Sequence, residues 1–206
     1  MCIRDRDNRG QSTIQVLNAK NGATIWKKNR NTRNGWATPA VVEHEGKVQV
    51  ITTASRPEAG NRNTPGKVIS YDLENGNIIW ECSGLTDNAI PCPIVENGVA
   101  YCMTGYQGFS LLAVPIFGKG EQSKNILWRR ELGTPYVPSP ILYDGLLYFT
   151  QSNQAILSCV DVKTGKVLME RTRLLGLSNV YASLVGAGNH IYAVSYTHLR
   201  AHETQR

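Results

Sequence analysis

Apolar and polar positions alternate along this chain in short runs, and no stretch shows the three-to-four spacing of an amphipathic helix. The runs come in pairs around turn dipeptides. Pro39-Ala40-Val41-Val42 and residues 48–51 flank Glu45-Gly46, and Pro93-Ile94-Val95 and residues 99–102 flank Asn97-Gly98. Further on, Pro140-Ile141-Leu142 and residues 146–149 flank Asp144-Gly145, while Leu184-Val185 and residues 191–194 flank Gly188-Asn189. Asn-Gly and Asp-Gly accept the positive φ that a two-residue hairpin turn requires, so each pair predicts a β-hairpin. With Pro39, Pro93, Pro140 and Ser183 as markers, the hairpins begin 54, 47 and 43 residues apart.

A second unit interleaves with the first: a short strand, Asp or Asn, three residues, Gly, then a strand ending in Trp. It runs from Asn18 through Gly22 to Trp26 and from Asp72 through Gly76 to Trp80. A later copy runs from Asp161 through Gly165 to Met169, with Met where Trp is expected. A middle copy is interrupted by residues 117–125 and still ends in Trp128. The Asp or Asn side-chain oxygen is suited to accept backbone N–H groups across the turn, and Gly supplies the left-handed residue that closes it.

Two hairpins per period of about 40–55 residues predict a four-stranded antiparallel sheet per repeat, which is a propeller blade. A β-sandwich would not repeat the same turn chemistry at near-constant spacing. The expected fold class is therefore all-β, a β-propeller of four-stranded blades forming an incomplete ring. Residues 12–27 supply a closing hairpin, residues 36–82, 90–130 and 136–171 supply full blades, and residues 180–194 begin another. That makes three full blades and two halves.

Residues 1–6 and 195–206 fit neither the pattern nor the composition of the remainder. They resemble peptides translated from sequencing-adapter DNA at the ends of assembled metagenomic reads. The expected division is a scar over 1–6, a partial propeller over 7–194 and a scar over 195–206. The whole sequence carries 22 Lys and Arg against 16 Asp and Glu, a net charge of +6 without dense basic clusters. Such a balance favours solubility and gives no nucleic-acid footprint. No apolar run reaches the ~18 residues of a membrane-spanning helix, and no signal peptide is visible.

The Asp-x-x-x-Gly-x-x-x-Trp units resemble the pyrroloquinoline-quinone-like (PQQ-like) propeller repeat, close to Ala-x-Asp-x-x-Thr-Gly-x-x-x-Trp. Asp161 to Lys166 match its centre, and Trp26, Trp80 and Trp128 take its docking position. The resemblance covers nearly all of residues 12–194. It implies that each such Trp packs between neighbouring blades near the next Gly-containing turn. The family includes quinoprotein dehydrogenases, a lipoprotein of the outer-membrane β-barrel assembly machinery and many bacterial envelope proteins. The resemblance therefore implies a periplasmic or otherwise extracytoplasmic location, and one fold with several unrelated jobs.

Two functions follow as expectations. The first is a non-catalytic scaffold or binding module of a bacterial envelope protein, holding a protein or polymer partner on the propeller face. The alternative is a fragment of a PQQ-dependent dehydrogenase whose active site lies outside this segment; a hydrolase or carbohydrate-binding role takes what remains. Members of the quinoprotein class hold the quinone between a Trp and a disulfide of adjacent Cys, with Ca²⁺ on Glu, Asn and Asp. None of the five cysteines here adjoins another, and no calcium-loop spacing of carboxylates appears. The expectation is no catalytic residue, cofactor or metal in this segment. PQQ and calcium enter only with the alternative.

Propeller loops that join blades share a face with loops between second and third strands. That face would carry residues 30–35, 54–66, 86–88, 106–108, 133–138 and 152–154. Long polar loops on a rigid scaffold are candidates for binding. Arg56, Glu58 and Arg62 on the longest loop, with Asp87, Tyr106 and Tyr136, are the candidate binding residues. The basic run 27–34 is expected to be a solvated loop, and His44 and His190 to be solvated turn residues. A Cys92–Cys102 disulfide across the hairpin is conceivable, though burial as small apolar side chains suits the cysteines better.

Overall fold

A computed structural model describes every residue except Arg9, 58–60, Arg62, Leu132, 196–198 and 204–206; in 199–203 it describes the backbone alone. Among the described residues the chain forms nineteen strands, one 3-10 turn at Ser123–Asn125 and no α-helix. The first sheet holds β1 (Cys2–Arg6), β2 (Ser12–Leu17) and β3 (Thr24–Arg30) in that order. The second holds β4 (Ala40–His44), β5 (Lys47–Ala54), β6 (Gly66–Asp72) and β7 (Ile78–Leu85). In the third, β8 (Ile94–Glu96), β9 (Val99–Thr104) and β10 (Ser110–Pro115) are followed by a detour through β11 (Gly120–Glu121) before β12 (Trp128–Arg130) closes the sheet. The fourth is β13 (Ile141–Tyr143), β14 (Leu146–Thr150), β15 (Ile156–Asp161) and β16 (Val167–Arg173). The fifth is β17 (Val185–Ala187), β18 (His190–Val194) and β19 (Leu199–Glu203). Neighbours are antiparallel throughout, except that β11 lies parallel on β7.

These are three complete four-stranded blades between two three-stranded sheets, an open propeller arc. The middle strands explain the stacking. In β5, β9, β14 and β15, runs of consecutive residues are buried, so both faces of each blade are covered. One apolar cluster fills each seam: Ile14, Val50 and Tyr71 between blades one and two, and Ile51, Trp80 and Leu112 between two and three. Met103, Leu147 and Phe149 fill the next, and Tyr148, Leu157 and Ile191 the last. The first sheet has one strand more than the hairpin expected over 12–27, because Cys2–Arg6 pairs with β2 through Ile3–Val16 and Asp5–Ile14.

The turn chemistry is as the sequence suggested. Glu45-Gly46, Asn97-Gly98 and Asp144-Gly145 have positive φ at both residues, between 48° and 76°, whereas Gly188 alone of its pair does. Asp72 Oδ1 accepts the Glu74 N–H at 2.8 Å, Asp161 Oδ1 accepts that of Thr164 at 2.8 Å, and Asn18 Oδ1 accepts that of Lys20 at 2.9 Å. Each turn is closed by a 2.8 Å bond from the glycine N–H to the Asp or Asn carbonyl.

The three docking tryptophans bind blade to blade. Trp26 Nε1 donates to the Leu73 carbonyl at 2.8 Å, Trp80 Nε1 to that of Ile116 at 3.1 Å, and Trp128 Nε1 to that of Val162 at 3.1 Å. Only glycine fits beneath two of these rings: a Cβ on Gly76 would stand 2.7 Å from Trp26, and one on Gly165 2.5 Å from Trp128. Trp80 meets the interrupted repeat instead. There the chain leaves β10, lays Phe117 against Gly98 and 4.5 Å from the His44 ring, and runs back along the outer edge of blade two as β11. Ser123 finishes this strap by accepting the Ser83 N–H at 2.8 Å. His44 is therefore half-buried against Phe117, and the solvated-turn expectation fails for it.

The expectation of a solvated loop over 27–34 also fails. Residues up to Arg30 belong to β3, and the Arg30 side chain is 1% exposed. Its Nη1 lies 2.9 Å from Asp7 Oδ2 and 3.2 Å from Asp5 Oδ2, while Nη2 donates to Thr52 Oγ1 at 3.1 Å and the Thr53 carbonyl at 3.2 Å. A guanidinium cannot shed its charge, so burial is tolerated only with partners of this kind. The described cysteines are all free, so Cys92 and Cys102 form no disulfide.

Candidate functional site

The crossover segments and the loops between second and third strands gather on one face and are laced together by backbone groups. Ser55 is the first hub: its hydroxyl donates to the Asn34 carbonyl and accepts the Ala89 N–H at 2.8 Å. Around it, Arg33 N–H donates to the Arg56 carbonyl at 3.0 Å and Trp36 N–H to that of Ala89 at 2.9 Å. Thr104 and Thr134 repeat the arrangement one blade on, through Thr86 N–H to Thr104 Oγ1 at 2.9 Å and Thr134 Oγ1 to the Thr104 carbonyl at 2.6 Å. Asn88, Gln107 and Ser152, all on this face, hold φ near +50°, a left-handed conformation that non-glycine residues keep only where neighbours enforce it.

Of the six candidate residues, four come together. Arg56 Nε lies 3.8 Å from Asp87 Oδ2. Asp87 bridges backbone to backbone with Tyr106. The Tyr106 ring stacks on Tyr136 at 4.9 Å between centroids, inclined by 24°, and Asn88 Nδ2 donates to the Tyr136 hydroxyl at 3.3 Å. Glu58 and Arg62 lie outside the described residues. The result is an ion pair between a buried carboxylate, Asp87, and a partly exposed Arg56, beside a stacked pair of phenols, carried on loops from three blades.

Two large side chains on this face were not singled out from the sequence. Trp36 and Tyr181 are 58% and 44% exposed. They precede Thr38 and Ser183 by two residues, and Ile90 and Val137 hold the same place before Cys92 and Ser139. The signal was therefore present in the repeat: bulky residues recur two positions before Thr38, Cys92, Ser139 and Ser183.

The tryptophans and cysteines of the seams are not free to hold a quinone. Trp26, Trp80 and Trp128 are committed to the seams through their indole N–H groups. Cys82 and Cys102 are buried in the Trp80 seam and Cys159 in the last seam, and burial holds the Cys82 and Cys159 thiols protonated, with pKa values pushed up to about 11. Among the described residues no group of three or more His, Cys, Asp or Glu is placed to hold a metal ion.

The profile of the family described as outer membrane protein assembly factor BamB matches residues 3–171. The chain belongs to that family. Among solved structures, BamB from Moraxella catarrhalis superposes with a TM-score of 0.62 at 16% identity, over 98% of this chain and 57% of that one. Quinohemoprotein alcohol dehydrogenase from Comamonas testosteroni superposes at 0.54 and 13%, over 99% and 42%. These likenesses are of fold. By sequence, the chain is 25% identical over 174 residues to tetrathionate hydrolase of Acidithiobacillus ferrooxidans, covering 75% of this chain and 32% of the hydrolase. The tetrathionate hydrolase of Acidianus ambivalens is 24% identical over 121 residues, 50% of this chain and 22% of its own. The chain thus spans a third or less of these curated relatives. The matched residues include the seam tryptophans Trp26, Trp80 and Trp128 and the Asx turns at Asn18, Asp72 and Asp161.

Proposed function

We propose that this segment is a non-catalytic binding module of a bacterial envelope protein, acting outside the cytoplasm, and that its loop face holds another protein or a polymer without a cofactor. The observation that carries the reading is the joined set Arg56, Asp87, Tyr106 and Tyr136. Stacked tyrosines offer large contact area at little cost in side-chain entropy, and arginine and tyrosine dominate the energetics of protein interfaces. The lacing through Ser55, Thr104 and Thr134 keeps the loops from paying an ordering cost on binding. The envelope location is supported by the family's own description.

Two measurements on the full-length protein test the proposal. Capture from envelope extracts should recover one specific partner from the unaltered protein, and Arg56→Ala with Tyr106→Ala should abolish recovery while circular dichroism shows the variant still folded at the assay temperature. Undiminished recovery by the double variant counts against this face. Supplying PQQ and Ca²⁺ should yield no dye-linked oxidation of alcohols or sugars; turnover above background would favour the dehydrogenase alternative, for which the shared fold with the Comamonas enzyme is the supporting observation.

A further inference from the structure

A concavity lies in the seam between blades three and four, with a volume of about 640 Å³. Its origin is a mismatch of strand lengths. β12 is three residues long, whereas the outer strands of the blades on either side, β7 and β16, have eight and seven. The part of blade four that a longer β12 would cover is left as a floor of Phe149, Val160 and Val167, with the Ser158 hydroxyl beside it.

Arg129, Arg130 and Arg171 line this floor together with Glu131 and Glu170. Arg129 pairs with Glu131. The other two arginines are held by neutral acceptors. Arg130 gives both Nε, at 2.9 Å, and Nη2 to the Gly165 carbonyl, and Arg171 Nε donates to Gln151 Oε1 at 2.9 Å. Arg171 is also a non-glycine residue with φ of 47°, at the end of a stretch where β15 and β16 slip in register; its backbone N–H donates to Ser158 Oγ at 3.1 Å. Arg171, fixed through Nε alone, keeps its full charge and its terminal N–H donors, which suit a planar or tetrahedral oxyanion. A left-handed backbone at a bulky residue is strain that the surroundings must enforce.

We propose that this seam cleft binds a small amphiphilic anion, a single sulfonate, carboxylate or phosphate on an apolar body. The head group meets Arg171 beside the Ser158 hydroxyl, and the body lies on Phe149, Val160 and Val167. The volume falls in the range of cavities that enclose drug-sized ligands. The cleft shares no residue with the Arg56, Asp87, Tyr106 and Tyr136 set.

Methyl-detected NMR titration with naphthalene-2-sulfonate tests it, with inorganic sulfate and neutral 2-naphthol as parallel arms. The sulfonate should shift the Val160 and Val167 methyl resonances saturably, and each parallel arm should bind at least about tenfold more weakly. Arg171→Gly keeps the left-handed backbone accessible while removing the guanidinium, and should weaken the sulfonate at least about tenfold; Arg171→Gln should do the same. Glu170→Gln should tighten it. Non-saturable shifts, equal binding of 2-naphthol, or unchanged affinity in both Arg171 variants would each overturn the site, and sulfate binding as well as the sulfonate would overturn the role of the apolar floor.

Discussion

The Thr38 backbone N–H donates to the thiol of Cys92 at 3.2 Å, one blade further along the chain. The same step is repeated twice: Cys92 N–H donates to Ser139 Oγ at 3.0 Å, and Ser139 N–H to Ser183 Oγ at 3.0 Å. The inner strands are thus tied by a ladder of backbone donors and side-chain acceptors, in which Cys92 stands where later blades have serine. Sulfur is the weaker acceptor. Cys92→Ser should therefore be neutral or slightly stabilising, whereas Cys92→Ala, which leaves the Thr38 N–H without its partner, should cost about 1 kcal/mol. Chemical denaturation of the three proteins side by side checks the order.

Thiol labelling should separate the cysteines by position. Cys2 is exposed and Cys92 half-buried, while Cys82, Cys102 and Cys159 are buried with thiols held protonated by burial. Since the thiolate is the reactive form, iodoacetamide at pH 8 should modify Cys2 and Cys92 and leave the other three until the protein is unfolded. Peptide mass mapping reads this directly, and early labelling of Cys102 would show the seam between blades two and three to be open.

The glycines beneath Trp26 and Trp128 should be far less replaceable than a glycine of equal backbone geometry elsewhere. Gly165 and Gly145 have φ of 67° and 74°. A Cβ at Gly145 meets nothing within 4 Å, whereas one at Gly165 meets the Trp128 ring at 2.5 Å. Gly145→Ala should cost only the left-handed penalty of roughly 1–2 kcal/mol. Gly165→Ala adds overpacking of roughly 1–3 kcal/mol and displacement of the indole from the Val162 carbonyl. The difference between their unfolding free energies is the measurement.

These features differ in how far they were legible beforehand. Asp72, Asp161 and Asn18 announced their turns because that chemistry is local: the side chain bonds a backbone group two or three residues away. Arg56, Asp87, Tyr106 and Tyr136 were placed on one face by blade topology alone, since loops of equal rank in each repeat must meet; their pairing into an ion pair and a ring stack needed coordinates. Arg30 was misread because nothing in Lys27-Lys28-Asn29-Arg30 distinguishes the buried cation from its solvated neighbours; its partners Asp7, Thr52 and Thr53 lie more than twenty residues away in either direction. The strap from Phe117 to Ser123 was read as an interruption, and its parallel pairing with β7 depends on an edge in a different blade. The short β12, which opens the arginine-lined cleft, was likewise hidden, because a strand's length depends on the partner that it lacks.

The buried cluster around Arg30 should make stability depend on pH in a direction unusual for an acidic residue. Burial raises the pKa of Asp7 to about 7 against its usual 3.8, outweighing the opposing pull of Arg30, and the nearby Asp5 carboxylate, itself raised by burial, adds to the rise. Asp7 Oδ1 has no hydrogen-bond partner, so its ionised form is poorly solvated. Between pH 4 and 7 the folded chain holds a proton at Asp7 that the unfolded chain has released. Stability should therefore fall as pH rises through this window, by at most about 1.4 kcal/mol per pH unit, and level off above pH 7. Asp7→Asn keeps the shape and removes the titration, so its urea midpoint should change less from pH 5 to pH 8 than that of the unaltered protein. It should also exceed the unaltered midpoint at pH 8, because Arg30 retains Asp5, Thr52 and the Thr53 carbonyl. Equal slopes for the two proteins would show that the proton resides elsewhere, and a midpoint lowered at every pH would show that Arg30 needs both carboxylates.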